Sequence, residues 1–374
     1  MNNQESINRP RAREAGIILG TMTPGPANAI TDVAGVRVGH VTIMRGTGKL
    51  VRGVGPVRTG VTAILPHDGD LFAAKVPAAA VVFNGFGKTI GLVQIAELGQ
   101  LETPILLTNT LNVGRVADAL VAYMLEQHPA IGVTTDTVNP VVCECNDSYL
   151  NDIGGRHVGE KEVREALNVP PGTPVGEGNI GAGTGMVTYG FAGGIGTASR
   201  RLTQEHGGYT LGVLLLANFG KHRDLTIAGV PVGRGLELAG QVVREREHGS
   251  VIVVLATDVP LDARQLGRLA RHVPLGLART GTHGGHGSGD LAIAFSTAAR
   301  IPQEATPLVR EVNVLNEQSP ALDALFAAVV EVTEEAVINV LCTARAITGR
   351  DGHYVAALPL EETRAILRLH GVGE

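Results

Sequence analysis

The arrangement best suited to covalent chemistry in this 374-residue chain is Gly249–Ser250, set directly before the apolar run "VIVVLATDVPL" (251–261). A serine hydroxyl is a weak nucleophile until a base takes its proton. If the serine is the first residue of a chain, its own α-amine can be that base. Such an amine has a pKa of about 7.7–8.0, so a useful fraction is neutral near pH 7. An internal serine reaches this state only when the preceding bond is cut, and the hydroxyl can do this itself. Attack on the preceding carbonyl gives an ester that water hydrolyses. Gly249 suits the scissile position, because without a Cβ it admits strained geometry and leaves its carbonyl open to attack. Yet Gly and Ser are also ordinary turn residues, and taken alone the segment reads as a turn.

Other stretches offer weaker chemistry. In "THGGHGSGD" (282–290), His283 and His286 could ligate a metal with Asp290 as a third ligand. The four glycines of that stretch make it a loop, and a Gly-rich loop with polar edges is the plainer reading. Gly176-x-Gly178-x-x-Gly181 matches a dinucleotide fingerprint as a string, but no convincing strand precedes it and no helix follows. "GFGKT" (85–89) and "GTGKL" (46–50) resemble phosphate loops. Val82 and Ile43 stand where the spacing demands the first glycine, so neither qualifies.

The elements that must position these residues alternate between strands and helices. Strands are expected at 37–44, 60–66, 78–87, 104–110, 138–146, 209–220, 251–261 and 290–297, several of them apolar on both faces. Helices are expected at 90–99, 111–129 (ended by Pro129), 262–279 (with Asp262 near its start) and 321–344. A Pro/Gly-rich loop fills 169–186, and no internal repeat or low-complexity linker appears. Strands buried on both faces imply stacked sheets covered by helices, in one compact unit.

Composition narrows the class. A net charge of −5, a pI near 6.2, 3% aromatic residues and no Trp argue against a nucleic-acid partner. Absence of an uninterrupted apolar stretch of about 18 residues argues against a membrane span. Cys143, Cys145 and Cys342 cannot all pair internally, and Cys143-x-Cys145 lacks the usual zinc spacing. No apolar h-region follows the polar first 16 residues. A cytoplasmic setting with reduced thiols is therefore expected.

Six ordered motifs give the chain a family resemblance. "ITDVAGVRVGHVTI" (30–43), "ECNDSYLNDIGG" (144–155), "GNIGAGTGM" (178–186), "LLANFG" (215–220), "HGSVIVVLATD" (248–258) and "GGHGSGD" (284–290) resemble segments of the L-aminopeptidase/D-esterase and β-peptidyl aminopeptidase family. That resemblance implies a four-layer αββα sandwich of the N-terminal-nucleophile hydrolase type and a single domain. It implies autoproteolysis at Gly249–Ser250, giving chains 1–249 and 250–374, and a homotetramer of processed pairs. It further implies Ser250 as nucleophile, and Ser288 and Asp290 as the residues that relay protons and orient its amine. Asn218 falls at the oxyanion-hole position, where a side-chain N–H is worth ~3–4 kcal/mol of barrier. Glu144 falls at the site that holds the substrate's ammonium, with Asn146 lining the same pocket and Tyr149 nearby. The family carries Glu where this chain has Asp290, one methylene shorter.

The expected function is release of an N-terminal L-, D- or β-residue from small peptides, amides and esters through an acyl-enzyme on Ser250, with no metal or organic cofactor. Alternatives are an endo-acting oligoamide hydrolase of the nylon-oligomer type, an acyltransferase of the same fold, a protein that self-cleaves only to bind or assemble, and a metal-dependent hydrolase using His283 and His286.

Overall fold

The computed structural model describes residues 9–240, 249–304 and 308–373. The strands that build the frame are, in chain order, β1 (Arg37–Arg45), β2 (Val57–Leu65), β3 (Ala74–Gly85), β4 (Ile105–Asn109), β5 (Val141–Cys145), β6 (Gly194–Arg201), β7 (Thr210–Asn218), β8 (Ser250–Thr257) and β9 (Gly289–Ser296). The covering helices are α1 (Val113–Gln127), α2 (Glu160–Leu167), α3 (Ala263–Ala270), α4 (Val273–Arg279) and α5 (Ala321–Thr343). One sheet runs β1-β2-β4-β5 and the other β3-β9-β8-β7-β6.

Three apolar cores stack these elements into four layers. Between the sheets, Ile64, Leu107 and Cys143 of the small sheet meet Leu216, Ile252, Val254 and Ile293 of the large one. The outer face of the small sheet packs Val61 and Leu106 on Val116, Leu120 and Val163 of α1 and α2. The outer face of the large sheet packs Val213, Val251 and Val253 on Leu266, Leu277, Val329 and Val337 of α3, α4 and α5. Strand β8 alternates strictly between cores: Ile252, Val254 and Ala256 point between the sheets, while Val251, Val253 and Leu255 point to the helices. Burial on both faces explains its nearly unbroken apolar sequence. The layering is the αββα sandwich that the resemblance implied.

Helices at Glu160–Leu167, Val232–Leu238 and Leu360–Leu369 were not expected, and two further elements differ from the sequence reading. The expected helix 262–279 is two helices. Asp262 caps the first, accepting from Gln265 N at 2.7 Å, while Pro274 lies in the first turn of the second. Proline has no N–H to donate to residue 270, so the helix ends and restarts around it. Strand β6, "GIGTASRR", was not foreseen because its glycines hide the apolar pattern. A Cβ on Gly196 would lie 2.1 Å from Ala336 O of α5 and one on Gly194 2.0 Å from Gly178 O, so close backbone approach demands glycine there.

A buried ionic cluster joins the segment before residue 249 to the segment after it. Arg200, wholly buried on β6, pairs with Glu331 (2.7 Å) and Glu335 (2.6 Å) of α5, and Arg13 reaches Glu335 at 2.7 Å. Burial works against ionisation of both glutamates, but bonds from Arg200 and Thr21 N to Glu331, and from Arg13, Arg200 and Asn28 to Glu335, outweigh it and hold the carboxyls below their usual range. Removing one partner from such a cluster typically costs 3–5 kcal/mol, roughly, by stranding a buried charge.

Candidate active site

Sheet register, more than sequence proximity, assembles the site. Strand β8 pairs antiparallel with β7 so that Ser250 faces Asn218, and parallel with β9 so that Ser250 sits beside Gly289 and Val251 beside Asp290. Each neighbour of Ser250 is thereby fixed by a ladder whose far residues are locked in the cores. The Ser250 hydroxyl donates to Gly249 O at 2.7 Å and accepts from Gly289 N at 3.3 Å. Its oxygen lies against the carbonyl it would attack. Space at Gly249 is tight: a Cβ there would lie 3.0 Å from Phe219 Cα and Cβ. The charged run 244–248 ahead of it lies outside the described residues.

Ser250 points between the sheets, into a cavity of about 270 Å³ that Glu144, Asn146, Asn218, Gly249, Lys88 and Thr110 also line. Glu144, the penultimate residue of β5, is buried and held by two donors: Lys88 N at 2.8 Å on Oε1, and the Thr110 hydroxyl on Oε2. Those bonds aim a carboxylate into the cavity in one orientation. Asn218 Oδ1 accepts from Val187 N at 2.9 Å, and Nδ2 donates to Asn146 O at 3.0 Å. Both bonds fix the amide's flip, and neither uses the second N–H of Nδ2. Asn146 uses its side-chain oxygen to accept from Ser148 N at 2.9 Å, which shapes the cavity's rim.

Ser288 and Asp290 lie on the other face of the same strands. The Ser288 hydroxyl donates to Asp290 Oδ1 at 2.6 Å, and the same oxygen accepts from Val251 N at 3.2 Å. Burial pushes the Asp290 carboxyl up, while the bonds from Ser288 and Val251 pull the other way, leaving it above the ordinary aspartate range. This pair lines a second cavity, of about 600 Å³, walled by Phe83, Phe219, Leu275 and Leu277. Gly249, Phe219 and Ser288 also line a small separate hollow of about 50 Å³.

Every predicted site residue is thus at or beside the end of β8, but in two groups: Glu144, Asn146, Asn218, Gly249 and Ser250 share the inner cavity, while Ser288 and Asp290 share the outer one. Tyr149 is not among the residues lining the inner cavity and stacks on His353 with ring centres 4.3 Å apart. His283 and His286 are exposed on the wall of the larger cavity, and among the described residues no three ligating side chains converge. Sequence reading missed Lys88 and Thr110. "GFGKT" was set aside as a phosphate loop, yet a Lys88 main-chain N–H does cradle an anion, the Glu144 carboxylate. The Gly176–Gly181 string is a packing device: Gly178 N donates to Ile195 O at 2.8 Å, and a Cβ on Gly181 would lie 2.5 Å from Thr62 Oγ1.

A nucleophile at a strand terminus, an amide beside it and a buried carboxylate facing both define a hydrolase of the N-terminal-nucleophile kind. The chain belongs to peptidase family S58, whose model matches residues 28–355. It is 42% identical over 379 residues to the β-peptidyl aminopeptidase BapA of Sphingosinicella microcystinivorans, covering 97% of this chain and 93% of that one. Among solved structures it is similar to the L-aminopeptidase D-Ala-esterase/amidase of Ochrobactrum anthropi, described as a variant of the Ntn hydrolase fold (TM-score 0.89, 42% identity, 98% of this chain and 100% of that one). It also matches a protein of Pyrococcus horikoshii OT3 (TM-score 0.92, 52% identity, 97% and 99%). The chain is a hydrolase, an aminopeptidase with a serine nucleophile, and it has the Ntn hydrolase fold.

Proposed function

We propose that the single domain cuts itself between Gly249 and Ser250, and that the freed Ser250 then releases N-terminal residues from small peptides, amides and esters. In processing, Ser250 Oγ bonds to the Gly249 carbonyl carbon, the C–N bond breaks, and the hydroxyl proton ends on the departing nitrogen. Water hydrolyses the resulting ester, leaving a Gly249 carboxylate, the Ser250 hydroxyl and a new α-amine. In turnover that amine accepts the Ser250 proton as Oγ attacks the substrate carbonyl. Asn218 donates to the oxyanion, and the proton passes to the leaving amine. A second attack, by water, regenerates the enzyme. Ser288 and Asp290 orient the amine from the outer face. Glu144 holds the substrate's ammonium, which explains a requirement for a free N-terminus.

The observation that carries this reading is the ladder that sets Asn218 and Gly289 on either side of Ser250, with Glu144 across one cavity. The name of the curated relatives supports β-residues among the substrates. We assign the enzyme to a reducing compartment, the cytoplasm, because all three cysteines are buried free thiols, with Cys143 and Cys342 pushed up to about 12 by burial. Among the described residues no helix is long and apolar enough to cross a membrane. The resemblance supports a homotetramer of processed pairs, and exposed Val82, Phe86 and Val93 offer apolar surface for association.

A panel of L-, D- and β-residue p-nitroanilides, each with a free or acetylated amine, tests the reading. Turnover of free-amine members and refusal of acetylated ones is expected. Comparable cleavage of N-blocked oligoamides would instead favour an endo-acting hydrolase.

A further inference from the structure

The loop that delivers Ser288 has a composition that favours looseness. Residues 281–289, "GTHGGHGSG", hold five glycines, and glycine loses more conformational freedom on ordering than any other residue. Yet the Ser288 hydroxyl meets Asp290 Oδ1 at 2.6 Å, so contacts from outside the loop must hold it.

Those contacts come from the end of β3. Asn84 lies opposite Asp290 in the β3–β9 ladder and lines the outer cavity that Ser288 and Asp290 share. Asn84 Nδ2 donates to Gly285 O at 2.5 Å and to His286 O at 3.4 Å. Gly285 O also accepts from Ser288 N at 3.0 Å, so one carbonyl joins the Asn84 amide to the Ser288 main chain. Ser288 O in turn accepts from Phe86 N at 3.3 Å. Gly289, which sits beside Ser250 in the sheet, packs bare against the same segment: a Cβ on it would lie 2.9 Å from Gly87 Cα. Of these contacts only that of Asn84 is made by a side chain. Further along the segment, Lys88 N donates to Glu144 Oε1 at 2.8 Å, a bond that does not involve the Asn84 side chain.

We infer that Asn84 is a positioning residue of the aminopeptidase: by fixing the Gly285 and His286 carbonyls it holds Ser288 in bonding reach of Asp290, and thereby holds the pair against the Ser250 amine. This rests on the role given above to Ser288 and Asp290. The Ser288 hydroxyl favours the charged form of the Asp290 carboxyl. A loop released from Asn84 makes that bond less of the time, so the carboxyl should protonate at a higher pH. Loss of folded protein would reduce the amount of active enzyme but would not move the limb.

The test compares wild type with Asn84→Ala, Asn84→Asp and Asn84→Gln, each as processed full-length enzyme acting on β-alanyl p-nitroanilide over a range of pH. Rates are referred to the amount of chain beginning at Ser250, read by mass spectrometry, so a variant that folds or processes poorly is compared on equal terms. Asn84→Ala should lower kcat roughly fourfold, with KM within about twofold because the Lys88–Glu144 bond is untouched. The acid limb set by Asp290 should move up by about half a pH unit, the size of one weakened hydrogen bond. Asn84→Asp keeps the shape but has no N–H to give, and should cost more than Asn84→Ala. Asn84→Gln retains the donor and should recover most of the activity. Besides the Ser250 amine, the titratable groups facing Asp290 among the described residues are His283 and His286 in the same cavity and the buried Cys145 thiol, which burial raises. The profiles are therefore repeated with both histidines changed to Gln, where the shift should persist.

An acid limb that stays in place in Asn84→Ala overturns the inference, whatever happens to kcat. So does full activity in Asn84→Asp, a shift that vanishes with the histidines, or a loss confined to KM, which would tie the segment to Glu144 instead. Should Asp290→Asn leave the wild-type limb in place, the role of the Ser288–Asp290 pair falls and takes this inference with it. A limb that answers to Asp290→Asn but not to Asn84 sinks the inference alone.

Discussion

The two faces of the strand pair β8–β9 differ sharply where the strands begin. The inner face carries the Ser250 hydroxyl and a polar cavity of about 270 Å³ with a buried carboxylate. The outer face carries the hydrogen-bonded Ser288–Asp290 pair and a larger, mainly apolar cavity of about 600 Å³. Side chains alternate across a strand, so residues 250 and 289 face one way while 251, 288 and 290 face the other. A pair on the outer face is badly placed to serve a hydroxyl on the inner one. The main-chain nitrogen of Ser250 lies in the plane of the sheet, open to both. In the proposed mechanism that division assigns Ser288 and Asp290 to the amine, and through it to the hydroxyl.

The largest effect should come from Ser250→Ala, which removes nucleophile and processing together. An uncut chain of 38.9 kDa is expected, with turnover of free-amine p-nitroanilides down by more than about 10⁴-fold. Cleavage at 249/250 in that variant would break the comparison at its root. Next, Asn218→Ala on the inner face should lower kcat by roughly 10²–10³-fold, with a smaller change in KM, because an oxyanion donor works in the transition state.

On the outer face, Asp290→Asn should cost about tenfold in kcat and alter the acid side of the pH profile. Burial raises the Asp290 pKa. As pH falls, its carboxylate therefore protonates earlier than an ordinary aspartate, and the wild-type acid limb should lie above that of a free carboxyl. That limb should disappear in Asp290→Asn, while the one set by the Ser250 amine, with a pKa of about 7.7–8.0, remains. An unchanged limb would mean that another group sets it.

The smallest effect is one of stability, at the residue between the cavity-lining Asn146 and Ser148. Asp147 is wholly buried, and burial pushes its carboxyl up to about 7, although Asn151 Nδ2 donates to it at 3.0 Å. Between the unfolded pKa of about 3.9 and that raised value, the folded chain holds a proton that the unfolded chain lacks. Stability from this group is therefore present at low pH and is lost as pH rises through the window. Asp147→Asn, made in the uncut Ser250→Ala background, should remove that fall and gain on the order of 2 kcal/mol at pH 8 relative to its parent. Urea unfolding at pH 4 and pH 8 reads the difference.

Much of this was legible in the chain. The apolar run after Ser250 announced a strand buried on both faces, whereas Ser288 read as part of the Gly-rich loop ahead of the next strand and only the resemblance joined it to Asp290. Register was not legible: nothing local to "LLANFG" says that Asn218 will lie opposite Ser250, since that pairing is set by cores on both sides of the sheet. Nothing local to Glu144 marks its burial, because its partners, Lys88 N and Thr110, are remote in sequence. Strand β6 escaped because its glycines serve close contacts with α5 and the 178–183 segment.

The most direct test follows processing and activity together in Gly249→Ala. The added Cβ meets Phe219 Cα at 3.0 Å and should slow the cut enough to time it. Mass spectrometry of samples taken over hours should show chains 1–249 and 250–374 accumulating, with hydrolysis of a free-amine p-nitroanilide rising in proportion to the chain that begins at Ser250. Full activity in the intact 374-residue chain would contradict the account.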